Sequence, residues 1–327
     1  MKVPDQSGFL HRPKVAILDD YQNVALEMAD WTPVAERADI TVFSDHIADP
    51  DDLVHRLAGF DVIFVMRERT PFPRSIIEQL PRLRMIASTG PFNASIDMAA
   101  AADHNIHVGT TGGTIASTVE LTWALILAAS RNIVAENAAV RAGGWQTSVG
   151  RELDGRVLGV LGLGRIGKRV ARIGNAFGMD VIAWSQNLTK DAAAEAGARY
   201  ANKDELFRQA DVLTIHLKLS ERSHHLVGHT ELAAMKPTAL LVNTSRGPII
   251  DESALLDALR ARSIGGAALD VFDDEPLPIE HPLRSFANVL AVPHIGYVAD
   301  RPYRIFFRDA VKAISDWLDL NPPRSSS

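Results

Sequence analysis

VLGVLGLGRIGKRVARIGNAFGMDVIAWSQN, residues 157–187, decides the architecture. An aliphatic run meets Gly162, Gly164 and Gly167 in G-x-G-x-x-G spacing, passes into the helical pattern RIGKRVARIGNAFG, and returns as a second apolar run from Asp180. Strand, glycine loop, helix and strand within about 30 residues make a βαβ unit that opens a dinucleotide site. Gly162 permits the sharp turn, Gly164 lets backbone N–H groups approach a pyrophosphate, and Gly167 lets helix and sheet pack closely. The positive helix end then faces the anion, with first-turn amides from Arg165 and Ile166. For the Arg165 side chain, a phosphate contact and a solvated position both stay open.

The second strand runs out into Ser185, Gln186 and Asn187, and Ser185 stands 18 residues after Gly167, where an acidic residue usually receives the ribose hydroxyls. A serine can still bond a hydroxyl, but it does not repel a 2′-phosphate. The expectation is relaxed discrimination between NAD and NADP, with Gln186, Asn187 and Lys190 as neighbours of the 2′ position.

Outward from this unit, strand-like runs alternate with helical patterns, as in a mainly parallel α/β sheet. KVAILDD (14–20), ITVFSD (40–45), DVIFVM (61–66), LRMIAST (83–89) and IHVGTT (106–111) form a first series; RVLGVLG (156–162), DVIAW (180–184), VLTIHL (212–217), ALLVNT (239–244), GAALDV (266–271) and NVLAVP (288–293) form a second. The expected fold is α/β with two domains, Rossmann-like or flavodoxin-like. Residues 1–115 plus 298–327 would bind substrate and 116–297 the dinucleotide, with the active site in the cleft between. A helix from Ser117 to Ile133 follows the first series, with Ser117 as cap and Glu120 three residues on. The tail NPPRSSS reads as frayed.

At 327 residues the chain can bury two cores, and its lack of cysteine excludes thiol nucleophiles, thiolate metal sites and redox disulfides. Net charge is −6 with scattered basic residues, which disfavours nucleic acid and anionic membranes. The N-terminal MKVPDQSGFLHRPK lacks an apolar signal core, and WALILAA is far short of a bilayer span, so a soluble cytoplasmic protein is expected. SHHLVGHT offers His224, His225 and His229, but without H-E-x-x-H it reads as surface loop, and no metal site is expected.

Arg246 in NTSRGPI, Glu275 in DVFDDEP and His294 in PHIGY each follow or end a strand of the second series, at spacings of 29 and 19. Carboxyl ends of strands are where open α/β sheets bind ligands. With LGVLGLGRIGKRVA, IHLKLS, MKPTALLVNTSRGPIIDESAL, GAALDVFDDEPL and VPHIGY in this order, the chain resembles the D-isomer-specific 2-hydroxyacid dehydrogenases along nearly its whole length. The resemblance implies an NAD- or NADP-dependent enzyme interconverting 2-oxo acids and D-2-hydroxy acids. Arg246 would hold the carboxylate and polarise the ketone, since a guanidinium is permanently charged and forked. His294 would move the proton, as imidazoles titrate near neutrality, and Glu275 would orient the ring and favour its protonated form. It further implies cofactor contacts at His216, Thr244, Asp270 and Gly296, and a homodimer through the cofactor domains, the helix from Ser117 being a candidate interface element.

The likeness breaks at GPFNASID, residues 90–97, where relatives read G-x-G-x-D-x-I-D: Phe92 replaces the second glycine and Ala94 the middle Asp. Gly90 stays, Asn93 becomes a candidate donor to substrate, and Arg67 in MRERTPF a candidate anion contact. Relatives often carry proline where Lys218 stands. An alternative from another class is a dinucleotide-sensing protein like the transcriptional corepressors that share this fold and trio.

Overall fold

The computed structural model describes residues 11–322, so the readings of the N-terminal leader and of the last five residues lie largely outside the described residues. The chain separates into two compact units: one runs to Thr114 and resumes at Asp300, the other spans Ile115–Ala299.

In the first unit β1 (Lys14–Ile17), α1 (Ala25–Met28), α2 (Thr32–Ala35), β2 (Asp39–Val42), α3 (Pro50–Leu57), β3 (Val62–Val65), α4 (Arg74–Ile77), β4 (Met85–Ser88), α5 (Met98–Asp103) and β5 (His107–Thr110) follow in turn. The strands make one sheet in the order β2-β1-β3-β4-β5, every pair parallel, which is the flavodoxin-like arrangement. Strands β3 and β4, VIFV and MIAS, are buried at every position because helices cover both faces. Edge strand β2 alternates between exposed and half-buried residues. The final helix, Asp300–Leu320, returns to this unit, with Phe307 stacked on Phe64 at 5.2 Å and set edge-on to Trp31 and Tyr303.

The second unit holds α6 (Ala116–Ser130), α7 (Ile133–Arg141), β6 (Val157–Leu161), α8 (Arg165–Ala176), β7 (Asp180–Trp184), α9 (Lys190–Glu195), β8 (Arg199–Tyr200), α10 (Lys203–Gln209), β9 (Val212–Ile215), α11 (His229–Ala234), β10 (Leu240–Asn243), α12 (Glu252–Arg260), β11 (Gly266–Leu269) and β12 (Val289–Ala291). Its seven strands pair in parallel in the order β12-β11-β10-β9-β6-β7-β8. The direction of winding reverses between β6 and β9, and such a switch point opens a crevice at the strands' carboxyl ends. The glycine loop leaves β6 there.

The expected cap at Ser117 is not formed. Helix α6 starts two residues earlier, with Ile115 at its cap position, and the Ser117 hydroxyl is buried without a hydrogen-bond partner. Apolar residues lie all round α6: Val119, Trp123, Leu125 and Ile126 join the core of the unit, and Leu121 and Leu127 are partly buried against it. The chain breaks at Asn132, whose φ of +52° suits a short polar residue, and α7 then buries none of its residues.

Candidate active site

At the end of β6, Gly162 turns with φ +105°, and a Cβ there would lie 2.7 Å from the carbonyl of His216 after β9. A Cβ on Gly167 would stand 2.1 Å from the Gly162 oxygen, so the helix can approach the turn only without a side chain. At Gly164, the cap position of α8, a Cβ would meet nothing within 4 Å, and no side chain caps the helix. Uncapped amides beside open space fit a pyrophosphate. The Arg165 side chain is exposed, as are Gln186 and Asn187. The Ser185 hydroxyl accepts from the Leu163 amide at 2.8 Å, so it braces the glycine loop from the neighbouring strand. Burial pushes the His216 imidazole down to about 3, leaving a neutral ring whose Nε2 pairs with the Thr214 hydroxyl at 3.0 Å. His216 therefore brings no positive charge to a phosphate near neutral pH.

The loops after β10, β11 and β12 carry the trio. Asn243 shapes the first: its Oδ1 accepts from the Ser245 amide at 3.0 Å and its Nδ2 donates to the Arg246 carbonyl at 2.9 Å. The Arg246 Nη1 donates to the Ser245 carbonyl at 2.7 Å. The next residue, Gly247, lies so close to the Phe272–Asp273 peptide that a Cβ would fall 2.1 Å from the Phe272 carbonyl carbon. This contact sets the Arg246 loop against the one bearing Glu275. Glu275 spends one oxygen on the Phe272 amide, 2.9 Å, and the other on Nδ1 of His294, 2.5 Å. With Nδ1–H donating to the carboxylate, Nε2 is the ring nitrogen left for proton transfer.

Asp270 holds the last loop. It is 1% exposed, and its two oxygens accept from the amides of Ile295 at 2.6 Å and Gly296 at 2.9 Å. Expected as a cofactor contact, Thr244 is buried, and its hydroxyl meets that of Thr122 on α6 at 2.9 Å.

In the first unit the Arg67 guanidinium lies over Gly90, whose φ is +83°; a Cβ there would meet Nη1 at 1.8 Å. Arg67 also pairs with Glu68 at 3.6 Å. The expectation for Asn93 is corrected. Both its amide hydrogens are used, on the Arg67 carbonyl at 2.7 Å and Ser88 Oγ at 3.1 Å, and its Oδ1 accepts from Ser95, so it shapes the loop and has no donor left for substrate. Phe92 is 55% exposed. His224 and His225 stack at 3.9 Å, and His229 opens α11. Among the described residues no group of three or more His, Cys, Asp or Glu is placed to hold a metal ion, and no helix is long and apolar enough to cross a membrane.

Sequence reasoning passed over Asn243, Gly247, Thr118 and Thr122. An Asn three residues before Arg246 and a Gly just after it were the available signals for a shaped turn; nothing in the pattern marks the two threonines.

Burial pushes the Asp270 carboxyl up from 3.8 to about 6, against the opposing pull of His294 and of its two amide partners. The folded chain thus holds this proton more tightly than the unfolded chain, and stability present below pH 4 is lost as pH rises through 6, about 3 kcal/mol in all. Asp270→Asn escapes that loss but sets an NH2 against one amide, a pH-independent cost of about 1–3 kcal/mol. Its stability relative to the wild type should therefore rise by roughly 3 kcal/mol between pH 4 and 7. Urea unfolding across that range measures the difference; one that stays constant refutes the assignment.

The family profile described as "D-isomer specific 2-hydroxyacid dehydrogenase, NAD binding domain" matches residues 123–296. A glyoxylate reductase of Aeropyrum pernix is 39% identical over 87% of each chain. A D-3-phosphoglycerate dehydrogenase of Methanocaldococcus jannaschii is 38% identical over 75% of this chain and 47% of its own longer one. The crystal structure of a phosphoglycerate oxidoreductase from Vibrio cholerae superposes with a TM-score of 0.89 at 38% identity, covering 94% of this chain and 99% of that one. With its two parallel sheets, its glycine crevice and these relatives, the chain belongs to the D-isomer-specific 2-hydroxyacid dehydrogenase family, oxidoreductases that work with a nicotinamide dinucleotide on small 2-oxo or 2-hydroxy acids.

Proposed function

We propose that the enzyme interconverts a 2-oxo acid and a D-2-hydroxy acid, with His294 as general acid and base, Glu275 as its orienting partner and Arg246 as the group that binds the substrate carboxylate and polarises the ketone. The observation that carries this reading is the 2.5 Å contact between Glu275 and His294 Nδ1, with the other Glu275 oxygen fixed on the Phe272 amide. A carboxylate anchored on both sides holds the imidazole in one tautomer with Nε2 outward. A nicotinamide dinucleotide held at the glycine loop would supply hydride chemistry at C2 of the oxo acid. As the carbonyl π pair moves onto oxygen, His294 delivers its proton there and becomes neutral, and Arg246 offsets the charge that develops before that proton arrives. In the first unit, Arg67 over Gly90 is the proposed anion contact.

Gly162, Gly164 and Gly167 with the amides of Arg165 and Ile166 would hold the pyrophosphate; Ser185, Gln186 and Asn187 would line the ribose position; and Asp270, Gly296 and Thr244 would border the nicotinamide end. With a neutral Ser185 and no acid beside it, both NADH and NADPH should serve. The homodimer we propose uses the stretch after α6. Ile133, Val134 and Val140 are exposed there, as are Trp145 at 78% and Val149 at 95%. Glu136 accepts from Thr147 and Ser148 and so fixes the loop that displays Trp145. Ordered, exposed apolar side chains in one segment suit burial against a second copy.

Oxidation of NADH and NADPH with glyoxylate, hydroxypyruvate, pyruvate, phenylpyruvate and a phosphorylated oxo acid tests the reaction; no turnover with any of them refutes it for this substrate range. In the same assay Glu275→Gln should lower kcat at least about tenfold, because the ring loses the anchored carboxylate that fixes its tautomer; a wild-type kcat removes Glu275 from its role. Ser185→Asp should lower kcat/KM for NADPH at least about tenfold more than for NADH, through like-charge repulsion. Equal losses would exclude that site as the discriminator. Sedimentation should give twice the 35.6 kDa chain mass for the wild type and one chain for Trp145→Asp; a dimer unaffected by the substitution places the interface elsewhere.

A further inference from the structure

Two threonines one turn apart on α6 reach both loops that carry the proposed chemistry. The Thr118 hydroxyl donates to the Gly296 carbonyl at 3.1 Å, and the Gly296 amide in turn donates to Asp270. The Thr122 hydroxyl donates to the Thr118 carbonyl at 2.8 Å, so the hydrogen in its contact with Thr244 comes from the Thr244 hydroxyl. Hydrogen bonds joined through Thr118 itself thus link Thr244, two residues before Arg246, across one turn of α6 to Gly296, two residues after His294. Thr122 is fully buried, Thr244 nearly so. Threonine is a poor choice for a helix interior, and bonding back to the i−4 carbonyl gains the helix little, so packing within α6 does not account for hydroxyls at these two positions.

We propose that Thr118 and Thr122 are positioning residues: they fix the Arg246 loop and the His294 loop to a common support, so that cation and proton donor keep a set separation. This rests on the roles assigned to Arg246 and His294 above. The two loops leave β10 and β12, strands separated in the sheet by β11, and a support outside the sheet holds the pair more stiffly than the intervening strand alone. Small displacements of reacting groups are costly, about a hundredfold in rate for roughly 1 Å.

The test compares Thr118→Val and Thr122→Val, which keep shape and lose the hydroxyl, with Thr118→Ser and Thr122→Ser, which keep the hydroxyl. Each valine variant should lower kcat for the best 2-oxo acid about tenfold, the equivalent of one buried hydrogen bond, while its KM stays within about twofold. Each serine variant should return kcat to within about threefold of the wild type. Independently of turnover, amide exchange in both valine variants should quicken at residues 244–247 and 294–297 and not in the distant β7–β8 region. Wild-type kcat together with wild-type exchange in the valine variants overturns the proposal, and so does failure of serine to restore either one. If the wild type reduces no 2-oxo acid, the assigned reaction fails, and the exchange measurement alone still decides whether these threonines support the two loops.

Discussion

Two carboxylates that accept backbone amides hold the carboxyl edge of the second sheet together. Asp270 receives the amides of Ile295 and Gly296, and Glu275 receives the amide of Phe272 while facing His294. Loops carry few hydrogen bonds of their own, and a carboxylate that accepts two amides from a following loop supplies what a ladder would supply in a strand. Burial of Asp270 works against this, since desolvation penalises its charged form more than two amides and a neighbouring imidazole compensate. The loop is held, but at a cost that grows with pH. Glu275, more exposed, binds an amide and an imidazole without so deep a desolvation.

The strand runs and their parallel pairing were legible because buried parallel strands leave continuous apolar runs, and because strand and helix repeats differ. That the glycine loop and the loops with Arg246, Glu275 and His294 each follow a strand was legible too. The short helices Ala25–Met28 and Thr32–Ala35 left too little periodicity to register, and the two-residue strand β8 is shorter than any pattern window. Ser117 misled because a Ser with Glu three residues later reads as a cap wherever it occurs; here the helix had already begun, and the hydroxyl went into the core. Asn93 misled in another way. Its donor capacity is consumed by Arg67 and Ser88, contacts 26 and 5 residues away, and no local pattern announces them.

Close approach of backbones explains why glycine recurs beside these loops. Gly247 against the Phe272–Asp273 peptide and Gly162 against the His216 carbonyl are contacts between neighbouring crossovers at the same edge of the sheet. Any side chain would force the loops apart, since a Cβ would stand closer to backbone than van der Waals contact allows. The sequence shows the glycines but not what each one touches, because that depends on the strand order. In β12-β11-β10-β9-β6, the loops after β9 and β6 are neighbours, as are those after β10 and β11.

The ribose position shows how one residue can serve two demands. Where an acid would compete for ribose hydroxyls, Ser185 accepts the Leu163 amide inside the glycine loop. An aspartate could take the same hydrogen bond and add a charge; a serine supplies the bond alone. Support of the loop and a charge at the end of β7 are therefore separable, and Ser185 supplies the first alone. On the proposed reading, such a site would rank its ligands by backbone contacts to the pyrophosphate, which NAD and NADP share.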